Sequence, residues 1–306
     1  MRTFVIGGTG FIGYRLVRLL VARGSLVTSM DTNPGAHSFA DLGEQVTSVR
    51  GDVTDFDEVM AAMAAAKPDR VVNLAYLIGD HAPHAALKLN ILGMDNCFEA
   101  GRLLGVAHIV YAGSFAPNGK QSHYGDRAVT EDDPLHGEYQ YAKHKIMNEW
   151  QALDYMEKYG MRITGIRCAY VTGPDKVRGT VDHVRCITEP ARGHAVTLPF
   201  KDAMVCAIHI DDMAGILRHA LMNPMSGAFN ATAPNPVTNE QFTSELAKAL
   251  SRPALFPVPG FVLKAMFGEM SEILLGGQRV LPRATEAAGY RLQFPVLSEA
   301  LRNILK

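Results

Sequence analysis

Residues 1–31, MRTFVIGGTGFIGYRLVRLLVARGSLVTSMD, contain the pattern that decides the fold. A short apolar run enters a turn with the spacing Gly7-x-x-Gly10-x-x-Gly13, and a helical pattern follows the turn. A second apolar run then ends in Asp31. A strand, a glycine-rich turn, a helix and a second strand with a terminal acid together form the fingerprint of a dinucleotide-binding βαβ unit.

Each part of this fingerprint has a physical role. The glycines permit a tight turn, close approach of the backbone to a pyrophosphate, and close packing of helix on strand. Phe11 and Ile12 open the helix, whose free amides and positive dipole end favour the phosphates. Asp31 is placed to bind ribose hydroxyls. The glycines and these three residues are therefore predicted cofactor contacts.

The composition is that of an ordinary globular enzyme. The 306 residues are 47% hydrophobic and 20% charged, with a net charge of -1. This balance gives no electrostatic reason to expect a nucleic-acid or membrane partner. No apolar run approaches the roughly 20 residues that span a bilayer, and the N-terminal run is too short for a signal peptide. We therefore expect a cytoplasmic protein.

The cysteines do not predict a metal or disulfide framework. Cys97, Cys168, Cys186 and Cys206 lie far apart, and they form no CxxC pair. We therefore expect reduced thiols and no structural zinc.

Strands alternate with helices over the first half of the chain. Strands are expected in 44–55, 69–76 and 107–114, the last two as near-continuous apolar runs, and helical patterns with short connections separate them. This order predicts an α/β fold with a doubly wound parallel (Rossmann) sheet. We assign 1–173 to a dinucleotide-binding domain with a return segment near 205–222. Residues 174–306 are assigned mostly to a smaller, mainly C-terminal substrate-binding lobe.

Two strand ends add cofactor contacts to the glycine turn. Asp52 follows the third strand, where a polar side chain can reach the adenine ring. Alternatively, Asp52 or Thr54 only caps the helix that begins near Phe56. The end of the next strand lies at the carboxyl edge of the sheet, where ligands of open α/β folds bind. The added contacts are Asp52, Val53, Leu74 and Ala75.

Three residues could carry out proton transfer beside the cofactor. Ser114 ends a strand at the same sheet edge, and Tyr139 and Lys143 open a later helix, on which positions four apart share a face. A tyrosine with a pKa of about 10 is a poor base, but a nearby ammonium lowers that pKa. Tyr139 is therefore predicted to exchange a proton with a substrate hydroxyl. Lys143 would tune it and hold ribose hydroxyls, and Ser114 would hold the reacting oxygen.

The chain resembles the extended short-chain dehydrogenases, also called NAD-dependent epimerase/dehydratases. The resemblance covers GGTGFIG, GDVTD, NLA, VYAGS, RCAYVTGP, IHIDDMA and GAFNA, together with the Tyr139/Lys143 pair and Asn90 with Gly93. It implies that Ser114, Tyr139 and Lys143 form a catalytic triad, completed by Asn90. It also implies NAD rather than NADP as the cofactor, because Asp31 would repel a 2′-phosphate and no arginine follows it.

Departures from the family pattern bear on the substrate. Dehydratases of the family carry an Asp-Glu pair after the active-site hydroxyl, whereas Phe115 and Ala116 follow Ser114. Sugar-nucleotide enzymes usually carry asparagine where this chain has Tyr170, and an Arg-Asp pair before the IHIDD segment is missing. Arginine forks usually hold diphosphates. We therefore expect a smaller, uncharged or more apolar substrate, near Tyr76, Phe115, Tyr170 and Thr172. The alternative phosphate contacts are Arg178, Arg185 and Arg192.

Other polar pairs have simpler interpretations. His81 and His84 have the spacing of a metal pair, but no third ligand is evident, so we predict no metal. Asp211 or Asp212 is expected to cap a helix, with metal binding or acid catalysis as the alternative. Thr238 is expected to cap the helix that follows it.

These observations lead to one main functional hypothesis and two rivals. The main hypothesis is an NAD-dependent oxidoreductase that interconverts a secondary alcohol and a ketone on a small metabolite. The first rival is a sugar or sugar-nucleotide epimerase that acts by transient oxidation, and the second is a non-catalytic NAD-binding regulator. The family resemblance also implies a homodimer that pairs the helices around 85–104 and 139–159.

Overall fold

A computed structural model describes residues 1–79, 81–174, 195–196, 202–251, 254–255, 261, 265 and 277–305. The strands in chain order are β1 (Arg2–Ile6), β2 (Leu26–Asp31), β3 (Val46–Arg50), β4 (Arg70–Asn73), β5 (Ile109–Ser114), β6 (Ile163–Cys168), β7 (Tyr170–Thr172), β8 (Ala195–Val196), β9 (Met204–Val205), β10 (Ala207–His209), β11 (Gly227–Ala231), β12 (Val237–Thr238) and β13 (Ala254–Leu255). Seven of them form one parallel sheet in the order β11-β6-β5-β4-β1-β2-β3. The predicted doubly wound parallel fold is confirmed.

Helices cover both faces of this sheet. They are α1 (Phe11–Ala22), α2 (Phe56–Ala66), α3 (Pro83–Leu87), α4 (Gly93–Leu103), α5 (Gln140–Tyr159), α6 (Ile210–Met222), α7 (Asn239–Leu250), α8 (Arg283–Ala287) and α9 (Leu297–Ile304). A π-helical turn, Lys88–Leu92, joins α3 to α4. The single helix expected around 85–104 therefore contains a local widening at Asn90.

Alternation along the strands builds a core on each side of the sheet. Phe4 and Ile6 are buried in a cluster with side chains of α2, α4 and α5. Val5 is buried in a second cluster with side chains of α1 and α6. Full burial of such a side chain contributes about 1.5–3 kcal/mol. The near-continuous apolar strands noted in the sequence are thus explained by a sheet that is covered twice.

The strand order reverses between β1 and β4. In open α/β sheets, ligands bind outside the carboxyl ends of the strands at such a reversal. The glycine turn follows β1, and Leu74 and Ala75 follow β4. The fold therefore places the predicted cofactor contacts at the expected crevice.

The segment from α6 to β11 packs on the central sheet and extends it by one strand. Helix α6 packs on α1, and β11 then pairs in parallel with β6 as the last strand of the central sheet. Strands β9 and β12 pair outside that sheet. There, Phe242, Leu246 and Leu301 form a separate small core with Val205.

The helix caps agree with the sequence at one site and differ at another. Thr238 and Gln241 form a capping box at α7, as expected. Neither Asp211 nor Asp212 caps α6, because His209 is the N-cap residue and its ring accepts a hydrogen bond from the Asp211 amide at 3.1 Å. Asp211 instead pairs with Arg15 of α1.

No helix in the described ranges is both long enough and apolar enough to cross a membrane.

Candidate active site

The glycine turn has the backbone geometry that the fingerprint requires. Gly7 has a φ of +79°, which L side chains rarely adopt. A Cβ on Gly13 would lie 2.8 Å from the Gly8 Cα and would overlap the Gly7 carbonyl oxygen. Gly10 is the N-cap of α1, so Phe11 and Ile12 form the first turn with its free amides. The turn therefore presents a helix N-terminus at very close approach to β1.

The predicted contacts around this turn lie at neighbouring strand ends. A Cβ on Gly7 would be 3.0 Å from the Ala75 amide nitrogen, next to Leu74. Asp31 ends β2 and accepts a hydrogen bond from the Asn33 amide at 3.1 Å. These residues share the carboxyl edge of β1, β2 and β4.

Asp52 and Val53 continue this edge after β3. Asp52 accepts a hydrogen bond from the Thr54 amide at 2.9 Å, and Val53 is buried against Gly93. The cap of α2 is Asp55, whose side chain accepts from the Glu58 amide at 3.1 Å. The alternative that Asp52 or Thr54 caps this helix is therefore corrected.

Ser114 forms a connected group with Tyr141 and Lys145. The buried Ser114 hydroxyl accepts a hydrogen bond from the Ala116 amide at 3.1 Å. It also lies close enough to the Tyr141 side chain to lower the pKa of that phenol. Lys145 lies one helical turn after Tyr141, is 2% exposed, and donates to the Ala112 carbonyl oxygen at 2.7 Å. A hydroxyl, a phenol and an ammonium thus meet at the end of β5.

Tyr139 and Lys143 do not share a helix face as the sequence analysis expected. Tyr139 is the N-cap of α5, with extended backbone angles of φ -138° and ψ 169°, so it precedes the helical repeat. Its ring packs on Ala116 and Ala142 and is stacked with the ring of Tyr141, with centroids 6.5 Å apart. Lys143 is exposed. The structure therefore brings Tyr141, which the sequence analysis missed, to Ser114.

The sequence contains two tyrosine–lysine pairs, and the burial of α5 favours the second. Tyrosine and lysine occur four apart twice in YQYAKHK, 139–145. Lys145 continues the spacing of Ala142, Glu149 and Ala152, which all face the protein. Lys143 instead shares the exposed spacing of Met147 and Trp150. The face of α5 that is buried in the structure therefore distinguishes the pairs.

Burial sets the ionisation of this group. It raises the pKa of Tyr141 above the ordinary range, and the nearby Ser114 hydroxyl acts in the opposite direction. Burial also lowers the pKa of Lys145 to about 7, although Cys168 and Glu149 favour its charged form. Tyr141 is therefore a neutral phenol, and Lys145 titrates close to neutral pH.

Asn90 holds the loop that follows β4. Its Oδ1 accepts from the Leu77 amide at 2.8 Å, and its Nδ2 donates to the Leu77 carbonyl at 3.1 Å. Its own carbonyl accepts from Asn148 Nδ2 at 2.8 Å. These contacts fix the segment after β4 against α5, so Asn90 positions that segment.

The predicted substrate residues fall into two places. Tyr76 meets Tyr141 edge-on at 5.6 Å between centroids, and Phe115 meets Tyr170 at 5.3 Å. Thr172 is buried and donates to the Ile208 carbonyl at 3.4 Å, within the β7–β10 pair. The aromatic residues flank the Ser114 strand end, whereas Thr172 is tied to the adjoining sheet. Arg178, Arg185 and Arg192 lie outside the described residues, as does Cys186.

In the described part of the chain, no three His, Cys, Asp or Glu side chains form a group able to hold a metal ion.

Comparisons with known proteins show which family the chain is similar to. The model of the NAD dependent epimerase/dehydratase family matches residues 3–231, and a domain of unknown function, DUF1731, matches 258–304. The human epimerase family protein SDR39U1 is 32% identical over 327 residues, covering 100% of both chains. A chloroplastic homologue from Arabidopsis thaliana is 41% identical over 100 residues, which is 32% of this chain and 29% of the relative.

Solved structures share the whole fold. The human SDR39U1 structure with NADPH has a TM-score of 0.75 and 29% identity, covering 99% of each chain. A UDP-glucose 4-epimerase from Thermus thermophilus, in complex with NAD, has a TM-score of 0.80 and 22% identity, covering 100% of this chain and 98% of that one. With a family match over most of its length, this chain belongs to the NAD-dependent epimerase/dehydratase family.

Proposed function

We propose that this protein is an oxidoreductase that uses a nicotinamide dinucleotide to interconvert a secondary alcohol and a ketone on a small metabolite. The observation that carries the proposal is that the buried Ser114 hydroxyl, the Tyr141 phenol and the buried Lys145 ammonium lie together at the end of β5, with Lys145 one helical turn after Tyr141. Tyr141 and Lys145 take the roles that the sequence analysis gave to Tyr139 and Lys143. We also propose that the chain outside 1–173 and the return through 231 forms most of the substrate lobe.

The described residues fit the cofactor. The close glycine turn leaves no room for a Cβ at Gly13, so its backbone can approach a pyrophosphate. Asp31 supplies a carboxylate where ribose hydroxyls bind. The bound nicotinamide would supply the hydride acceptor or donor. Ala75 and Leu74 border the same crevice.

Side chains of the protein transfer the proton and hold the reacting oxygen. Ser114 holds the substrate oxygen by hydrogen bonding. The neutral phenol of Tyr141 donates a proton to that oxygen when a ketone is reduced. In the reverse direction, the substrate hydroxyl loses its proton to a Tyr141 phenolate, which the positive charge of Lys145 favours.

An absorbance assay tests this function and separates it from its rivals. With NAD and a panel of alcohols, an oxidoreductase accumulates reduced nicotinamide. An epimerase, which the family membership also allows, changes the configuration of its substrate without net reduction. A non-catalytic regulator would bind the cofactor and turn over nothing in alcohol, ketone and sugar panels, and this result would contradict the proposal.

We expect NAD to bind more tightly than NADP because the Asp31 carboxylate lies where a 2′-phosphate would add negative charge. Asp31→Asn keeps the size of the side chain but removes its charge. It should weaken NAD binding about tenfold, as expected for loss of a hydrogen bond to a charged group. The difference in affinity between NAD and NADP should therefore become smaller. Calorimetric titration with both cofactors measures these changes.

Asp41→Asn is the matched control for this experiment. Asp41 pairs with Arg18 at the surface, at 2.5 Å, and the substitution should leave both affinities unchanged. Tighter binding of NADP by the unaltered protein would contradict the proposed preference.

We propose that the outer face of α4 and α5 forms a homodimer interface. Trp150 is 66% exposed, and Met147 and Leu153 are exposed beside it, with Leu92 and Leu103 on the neighbouring helix segments. Trp150→Glu should convert the dimer to a monomer in sedimentation experiments, because the charge would be buried in the interface. Leu26→Glu, at a position 54% exposed on β2, is the control and should not change the mass. A monomeric unaltered protein would contradict this proposal.

A further inference from the structure

Tyr76 covers the ammonium group of Lys145. The Lys145 Nζ lies 3.1 Å from the centroid of the Tyr76 ring, within the range in which an aromatic face attracts a cation. The ring of Tyr141 is farther away, at 5.6 Å. Lys145 therefore has one carbonyl partner, Ala112, and one aromatic partner at close range.

The fold fixes the backbone on both sides of Tyr76. The Ala75 amide donates to Asn73 Oδ1 at 3.1 Å. On the other side, both backbone groups of Leu77 are hydrogen-bonded to the Asn90 side chain. These hydrogen bonds come from β4 and from the π-helical turn, so two separate elements hold the aromatic ring at Lys145.

The other neighbours leave the ammonium without a dedicated counter-ion. The titratable neighbours of Lys145 are Tyr141, His144 and Glu149 on α5, Cys168 on β6, and Tyr76. Glu149 is already in a bidentate pair with Arg167, at 2.7 and 2.8 Å. Within the described ranges, no carboxylate lies within ion-pair distance of Lys145.

We propose that the Tyr76 ring is a positioning residue that keeps Lys145 in its ammonium form beside Tyr141. The use of that charge in catalysis rests on the function proposed above, whereas the contact between ring and ammonium does not. Burial lowers the pKa of Lys145 to about 7, so a modest stabilisation of the ammonium changes how much of it is charged at neutral pH.

The ring face, and not the hydroxyl, provides this stabilisation. Burial raises the pKa of Tyr76 well above its ordinary range, so the side chain is a neutral phenol. Its Oη is buried and has no hydrogen-bond partner among the described residues. Phenylalanine should therefore replace Tyr76 in this role, whereas a ring with a reversed charge distribution should not.

The test compares phenylalanine with pentafluorophenylalanine at position 76. The two rings have similar shape and both exclude water, but fluorination removes the negative face. The pKa of Lys145 is measured by NMR titration of the lysine side chains in the cofactor-free protein, with Lys145→Arg to assign the resonance. We expect the Phe protein to keep the original pKa and the fluorinated protein to show a pKa lower by about one unit. Equal pKa values in the two proteins would overturn the proposal.

The pH dependence of turnover separates this inference from the proposed function. If Lys145 must be charged, activity falls as pH rises through its pKa, so the alkaline limb of kcat/KM moves down with the NMR value. An NMR shift without movement of this limb would support the Tyr76 contact and count against the catalytic role of Lys145.

Discussion

Tyr141→Phe should lower kcat/KM by about 10²- to 10⁴-fold, the usual contribution of a positioned acid or base. The substitution removes only the hydroxyl that lies beside Ser114 and keeps the ring that is stacked with Tyr139. The binding of NAD should be largely retained, because the glycine turn and Asp31 are untouched. Steady-state kinetics and cofactor titration on the same preparation measure both effects.

Tyr139→Phe is the matched control, since it removes the same phenolic hydroxyl from the tyrosine two residues earlier. Tyr139 precedes α5 in an extended conformation, and its ring packs on Ala116 and Ala142. The Phe variant should therefore keep most of the turnover. If it were inactive while Tyr141→Phe remained active, the assignment would return to the first tyrosine–lysine pair.

The fold was predictable because its signals are local and repeated. Gly7 and Gly13 must be glycine for steric reasons that lie within the first turn, and Asp31 marks the end of the adjoining strand. The later strands are near-continuous apolar runs between helices, and that order leaves few topologies. The family resemblance drew on the same segments.

The choice between the two tyrosines depended on where one helix begins. Both pairs have the spacing of one helical turn, so periodicity supports either pair. The difference is that α5 begins at Gln140, which leaves Tyr139 as its cap. Helix ends are the least certain feature of a sequence interpretation. The helix was expected to begin at Tyr139 and begins one residue later. This difference was sufficient to move the expected acid/base by two residues, from Tyr139 to Tyr141.

Contacts between distant segments explain the other differences. The sequence suggested Asp212 as a helix cap. In the structure, its carboxylate accepts hydrogen bonds from the Gln293 and Phe294 amides at 2.7 and 2.9 Å and from the Tyr290 hydroxyl at 3.1 Å. It therefore fastens the C-terminal segment to α6. No local pattern shows that a carboxylate has partners about 80 residues away.

One face of α5 joins the proposed chemistry to the sheet. Tyr141, Lys145 and Glu149 follow one another at intervals of one turn. Glu149 forms a bidentate pair with Arg167 in β6, the strand that runs beside the Ser114 strand. This ion pair ties the middle of the helix that carries Tyr141 to β6.

Glu149→Ala should lower the free energy of unfolding by about 3–5 kcal/mol, because it leaves the Arg167 guanidinium buried without its counter-charge. The side chain of Arg167 is 5% exposed and that of Glu149 is 14% exposed. Glu99→Ala breaks the pair with Arg102, in which both side chains are 30% exposed, and should cost no more than about 1 kcal/mol. Urea unfolding of the two variants measures the difference. Equal losses would mean that the Arg167 pair does not anchor α5, since only a buried, unpaired charge gives the larger cost.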